Sequence, residues 1–177
     1  MAYTETLTMK KRISDLLINP ITPFDIEDVR LAKLFSFFLH SAPRINSNRA
    51  IQIDDARLGR NWNVFIKRFD KSVYKFMEAS SPKLVMDYFQ ITGISDSSEL
   101  RKRGSGFVCR KKDKYELESV CLLRHIRNAI AHGNVHLLNA GNRKFVLFED
   151  FNEKGKQTAR ILFSQTDLQN LKSQILK

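Results

Sequence analysis

Apolar residues recur along most of this chain at three- and four-residue spacing, the period of an α-helix, and gather into short continuous runs only near the end. Leu7, Ile13, Leu16 and Leu17 predict a helix over 3–18, stopped by Pro20. In "TPFDIEDVRLAKLFSFFLH", Thr22 is placed to cap, Pro23 suits the first helical position and Asp25 completes a capping box. Ile26, Val29, Leu34, Phe35, Phe37, Phe38 and Leu39 surround most of that cylinder, which predicts a buried helix. The polar stretch 41–59 reads as a connection, with a short element around Ile51. Trp62, Phe65, Ile66, Phe69, Val73 and Phe76 then form one face of a helix over 61–79, with Arg60, Lys67, Lys71 and Lys75 opposite. A further Pro-led start at Ser81 and Pro82 has Leu84, Val85, Tyr88 and Phe89 behind it.

The segment 101–114, "RKRGSGFVCRKKDK", carries seven Lys or Arg against one Asp and reads as an exposed basic loop. Asp113 and Glu116 have capping-box spacing and open a helix over 115–133. "KFVLFEDF" and "QTARILFS" flank "NEKGK" and, with its Gly-containing turn, predict a β-hairpin over 144–164. A last helix over 166–176 has Thr166 and Gln169 in cap positions and a stripe of Leu168, Leu171 and Ile175. The expected architecture is a single domain over 1–177, mainly α: a helical bundle with one hairpin inserted before the C-terminal helix.

Composition narrows the partners more than the fold. Apolar residues make up 42% of 177, enough for a real core, and thirteen Phe against one Trp and four Tyr predict plain aromatic packing. A net charge of +11 favours an anionic partner, RNA or DNA being the usual one. Cys109 and Cys121 form neither a disulfide framework nor a zinc spacing. The basic N-terminus has too short and broken an apolar stretch for a signal peptide, and no run reaches a membrane-spanning length. The expectation is a soluble cytoplasmic protein with no membrane association.

The chemistry concentrates in "RHIRNAIAHGN", 124–134. Ile126, Ala129 and Ile130 need burial, yet the same helix carries Arg127 and His132, about 140° apart in helical phase. Gly133 follows directly and is the preferred residue beyond a helix end, so His132 falls at the cap. A free imidazole titrates near 6.5, suiting it to take a proton from a ribose 2′-hydroxyl or give one to a leaving 5′-oxygen. A guanidinium stays charged and grips phosphate oxygens through paired bonds.

Arg127, Asn128, three further residues and His132, read as "RNAIAH", resemble the signature of the HEPN superfamily: an Arg, a polar residue, then a His some four to six residues after the Arg. The flanks, with a hairpin like "FVLFEDF…ARILFS" and a short final helix, are similar to a branch carried by plasmids and mobile elements. The likeness covers about 116–175, roughly a third of the chain. It implies a metal-independent, cofactor-free endoribonuclease active as a homodimer, whose Arg–His motifs meet across a two-fold axis in one composite site. Arg127, Asn128 and His132 are then the catalytic residues. It also implies a toxin or antiphage defence effector, with a cognate antitoxin or other regulator as a further partner. In the relatives paired with nucleotidyltransferase antitoxins a Tyr stands two residues after the His. Here Asn134 does, so that partner is not implied.

Each of these residues also has a structural reading. Arg127 serves equally in a salt bridge, Asn128 in a local hydrogen bond, and His132 as a plain cap that a helix C-terminus favours. His125 reads as a solvated helix position. Cys121, His125, His132 and His136 match no zinc spacing, so no metal site is assigned. Arg101, Lys102, Arg103, Arg110, Lys111, Lys112 and Arg124 are candidate contacts to an RNA backbone, although charge runs are usually solvated. Gly104 and Gly106 lack the Lys and Ser or Thr of a phosphate loop. The alternative class is a non-catalytic helical module that binds RNA or protein.

Overall fold

The structure, a computed structural model, describes residues 27–92 and 104–177. The expected helix over 3–18, the Thr22–Pro23 start and Arg101, Lys102 and Arg103 lie outside them. Helix α1, Val29–Ser36, is capped by Asp28, whose carboxylate accepts from the N–H of Arg30 and Leu31 at 3.0 and 3.2 Å. It runs straight into a π-helical turn, Phe37–Ser41. Helix α2, Asp55–Ile66, starts on Asp54, and its stripe of Leu58, Trp62, Phe65 and Ile66 is buried.

The chain is not the mainly helical bundle that the apolar spacing suggested. A five-stranded mixed sheet runs through it, in the order β1-β2-β5-β4-β3. The strands are β1 (Tyr74–Met77), β2 (Gly106–Arg110), β3 (Val135–Ala140), β4 (Arg143–Phe151) and β5 (Gln157–Ser164). β1 runs parallel to β2 and every other pairing is antiparallel. The predicted hairpin is therefore real, but it is the middle of a sheet rather than an insert.

The helix expected over 61–79 ends at Ile66, and Asp70 turns the chain by accepting from Ser72 N–H at 2.8 Å. Phe69, Val73 and Phe76 continue the 3–4 spacing by coincidence. Tyr74 and Phe76 in fact alternate with Lys75 and Met77 along β1. The Ser81–Pro82 start leads to a 3-10 segment, Val85–Thr92, rather than an α-helix. Within the basic loop, 106–110 is a strand whose residues are all buried, because strands lie on both sides of it and layers on both faces.

Helix α3, Glu118–Ala131, and helix α4, Gln165–Ile175, pack with α1 and α2 on one face of the sheet. Neither begins at its expected capping box. Leu117 precedes α3 with no side-chain cap, Asp113 accepts from Tyr115 N–H, and Glu116 is used elsewhere. Ser164 caps α4, accepting from Asp167 N–H at 3.1 Å. The stripe of Leu168, Leu171 and Ile175 is fully buried as its spacing required. Aromatic rings tie the layers: Phe163 of β5 stands 6.2 Å from Phe65 and 5.6 Å from Phe107, and Phe148 of β4 stands 5.9 Å from Phe35.

Candidate active site at the end of helix α3

Helix α3 stops in a Schellman turn. His132 takes the C-cap position, Gly133 follows at φ 71°, and the N–H groups of Gly133 and Asn134 return to Ile130 O and Ala129 O at 3.2 and 2.9 Å. The chain enters β3 at once, and Asn134 O accepts from Glu149 N–H at 3.0 Å. His132 is consequently held on the surface where the helix hands over to the sheet, and its side chain is exposed.

Beside it lies an open cleft of about 560 Å³. One wall is the α3 stripe of Arg124, Asn128 and His132, four residues apart and so on one side of the helix. The other is the β4–β5 turn, with Phe151 and Lys154 at its lip. Arg127 is not part of this cleft. Its Nη1 lies 3.5 Å from Asn128 Oδ1 and its Nε is buried without a partner. Within one chain, Asn128 thus touches Arg127 and shares with His132 a cleft that Arg127 does not line.

Below the cleft is a polar cluster. His125 is fully buried, not solvated, because it continues the apolar stripe of Cys121, Leu122, Ile126 and Ala129. Its Nδ1 stands 2.7 Å from Asp150 Oδ2 and its Nε2 stands 2.7 Å from the carbonyl of Arg110. The Arg110 carbonyl and the ionised Asp150 carboxylate only accept, which favours a proton on each ring nitrogen; Arg124 Nη2, a donor, also stands 3.3 Å from Nε2. Burial opposes that charge, but the bond to Asp150 and the neighbouring Cys121 sulfur outweigh it and raise its pKa to about 9. Asp150 Oδ2 also accepts from Asn128 Nδ2 at 3.2 Å.

Arg124 forms a two-pronged pair with buried Glu116, Nε to Oε1 at 2.6 Å and Nη2 to Oε2 at 2.9 Å. Burial pushes the Glu116 carboxyl up, yet Arg124 and the Lys112 N–H hold it below its ordinary value. Arg110 is not available to an RNA backbone. Its guanidinium is buried and donates to the carbonyls of Glu78, Ala79, Ser81 and Lys83, strapping that segment to β2. Lys112 is exposed and Lys111 half-buried. His136 lies on the opposite sheet face, 3.5 Å from Glu149.

Asp150 was missed in the sequence, although its phase was visible. In β4 it follows Val146 and Phe148 on the core-facing side, where a carboxylate requires a partner. β3 was missed as well, and its signal was the two-residue Gly141–Asn142 turn between "VHLLNA" and "RKFVLF".

No helix among the described residues is long and apolar enough to cross a membrane. No curated protein and no solved structure matches the chain. A sequence model of the family described as HEPN pEK499 p136 does match, over residues 44–177. HEPN domains are commonly ribonucleases. The match reaches well upstream of 116, taking in α2, β1 and β2 along with the Arg–His helix and the hairpin. With most of its length matched, and with the Arg127–Asn128–His132 pattern at the end of a late helix, the chain belongs to the HEPN pEK499 p136 family.

Proposed function

We propose that this protein is a homodimeric endoribonuclease that cuts RNA without a metal ion, and that it acts as a toxin or antiphage effector. In this reading His132 is the acid–base group, Arg127 the phosphate-holding cation and Asn128 the residue that orients them. The 2′-oxygen of a ribose attacks the adjacent phosphorus and the bond to the 5′-oxygen breaks. One imidazole takes the 2′-hydroxyl proton and another protonates the departing oxygen. The products are a 2′,3′-cyclic phosphate and a 5′-hydroxyl. Two His132 side chains, one from each copy, supply the base and the acid. A guanidinium near the phosphate stabilises the charge that grows on its free oxygens.

The supporting observation is the separation of Arg127 from His132 within one chain. His132 is exposed in an open cleft that Arg127 does not line. Arg124 lines this cleft but is tied to Glu116, so the guanidinium for a phosphate seated at His132 is drawn from a second copy of the same helix end.

The test is cleavage of several RNAs by the purified protein in excess EDTA. Wild type cuts, while Arg127→Ala and His132→Ala do not. RNA binding without any cleavage by the wild-type dimer would instead favour a non-catalytic binding module.

A further inference from the structure

We infer that His125 and Asp150 are positioning residues: a buried charge pair that, through the Asn128 amide, aims the Arg127 guanidinium. This rests on the reading of Arg127 as the phosphate-holding cation. The contacts run in an unbroken series from the sheet to the helix surface. His125 Nε2 is fixed on the last carbonyl of β2, and its Nδ1 on Asp150 of β4, each at 2.7 Å. Asp150 Oδ2 receives Asn128 Nδ2–H at 3.2 Å, and Asn128 Oδ1 lies 3.5 Å from Arg127 Nη1.

The charge on Asp150 determines which way the Asn128 amide faces. A carboxylate accepts only, so Asn128 must turn its NH₂ toward Asp150 and its oxygen toward Arg127. With a neutral amide at 150 that constraint disappears. Asn128 is then free to flip and offer N–H groups to a guanidinium that can only donate. The imidazolium has a matching role: it pairs with the carboxylate in a site where an unpaired anion is costly. Arg127 Nε is buried without a hydrogen-bond partner, and Nη1 is held on Asn128 Oδ1. Asn128 is accordingly a group that steers the arginine from the wall of the His132 cleft.

Asp150→Asn is nearly isosteric and tests this in the intact dimer. Two readouts are used: cleavage kinetics on one RNA oligonucleotide in EDTA, and side-chain ¹H–¹⁵N spectra of Asn128 and Arg127. The expected result is a kcat lower by about 30- to 100-fold, the size of effect that slight misplacement of a reacting group produces. KM should change by less than about threefold, and the Asn128 NH₂ and Arg127 Nε–H signals should move toward free-chain positions. Leu171→Ala loosens the core on another helix and is the control for lost stability. A kcat loss in Asp150→Asn no greater than in this control at equal Tm, or unshifted Asn128 and Arg127 signals, overturns the proposal. If the wild type cuts no RNA while Asp150→Asn still releases both signals, the nuclease reading fails and the steering of Arg127 by Asp150 stands.

Discussion

His125 and His132 stand seven residues apart on one helix and close in phase, yet His125 is sealed between two acceptors at 2.7 Å while His132 is open to solvent. The same side-chain type is thereby divided into a sealed cation and a solvent-exposed imidazole. The sealed one has consequences for stability. Its pKa is raised to about 9 in the fold, against roughly 6.5 in an unfolded chain. The charged pair therefore stabilises fully below about pH 6.5, and that contribution drains away as pH rises through about 9. The difference amounts to about 3 kcal/mol at most. Urea unfolding at pH 6.5 and 9.5 should show a loss of that order in the wild type, and a flatter profile in Asp150→Asn. A wild-type profile as flat as the variant's would contradict the assignment.

The Glu116–Arg124 pair acts at the other end of the pH scale. Glu116 is held below its ordinary value despite burial, so its contribution is present above about pH 4.5 and lost as pH falls through the lower folded pKa. Glu116→Gln leaves Arg124 without its carboxylate and should cost about 2 kcal/mol at pH 7, because Arg124 is still partly solvated. Acid unfolding of this variant should begin from lower stability but fall less steeply than in the wild type.

Two glycines give opposite controls. Gly133 has φ 71° and open space where a Cβ would stand, so Gly133→Ala brings only backbone strain, about 1 kcal/mol. That corresponds to a fall in Tm of about 2–4 °C for a chain of this size. A Cβ at Gly106 would lie 2.4 Å from Ile91 O and 2.9 Å from Val73 O, both backbone atoms that cannot swing away. Gly106→Ala should lower Tm by more than twice as much, or prevent folding, and differential scanning calorimetry distinguishes the two.

Mixing variants tests whether the site is shared between chains. His132→Ala is expected to be inactive in RNA cleavage. After co-refolding with wild type in equal amounts, half the dimers carry one intact His132 and a quarter carry two. If the base and the acid come from different copies, only the fully wild-type dimers cut, and cleavage should fall to about a quarter of the wild-type value. A fall to only about half, with mixed dimers demonstrated by native mass spectrometry, would place the whole site within one chain.

How much of this was legible in the sequence depended on how local the cause was. The Schellman end at His132 and Gly133 needs only a left-handed backbone position, which glycine supplies wherever it stands. The β4–β5 hairpin needs only two short apolar runs and a Gly-containing turn, and both were in the residues. Arg127 and Asn128 were chosen from the motif and are adjacent in space, but Asp150 beneath them is 22 residues away and entered through register alone. The basic loop was misread for a related reason. Phe107, Val108 and Cys109 are short and flanked by charge, and they become a central strand only because β1 and β5 arrive on either side.

By itself the sequence determined the helical stripes, the turn residues, the helix-end chemistry and the surplus of positive charge, since each depends on neighbours within a few positions. Tertiary structure alone decided the five-stranded sheet, the burial of Arg110 and the fate of His125. Whether a polar side chain is a solvated ornament or a buried ion depends on which acceptors the fold brings against it. For His125 those acceptors come from β2 and β4, strands that helical spacing on α3 has no means of specifying.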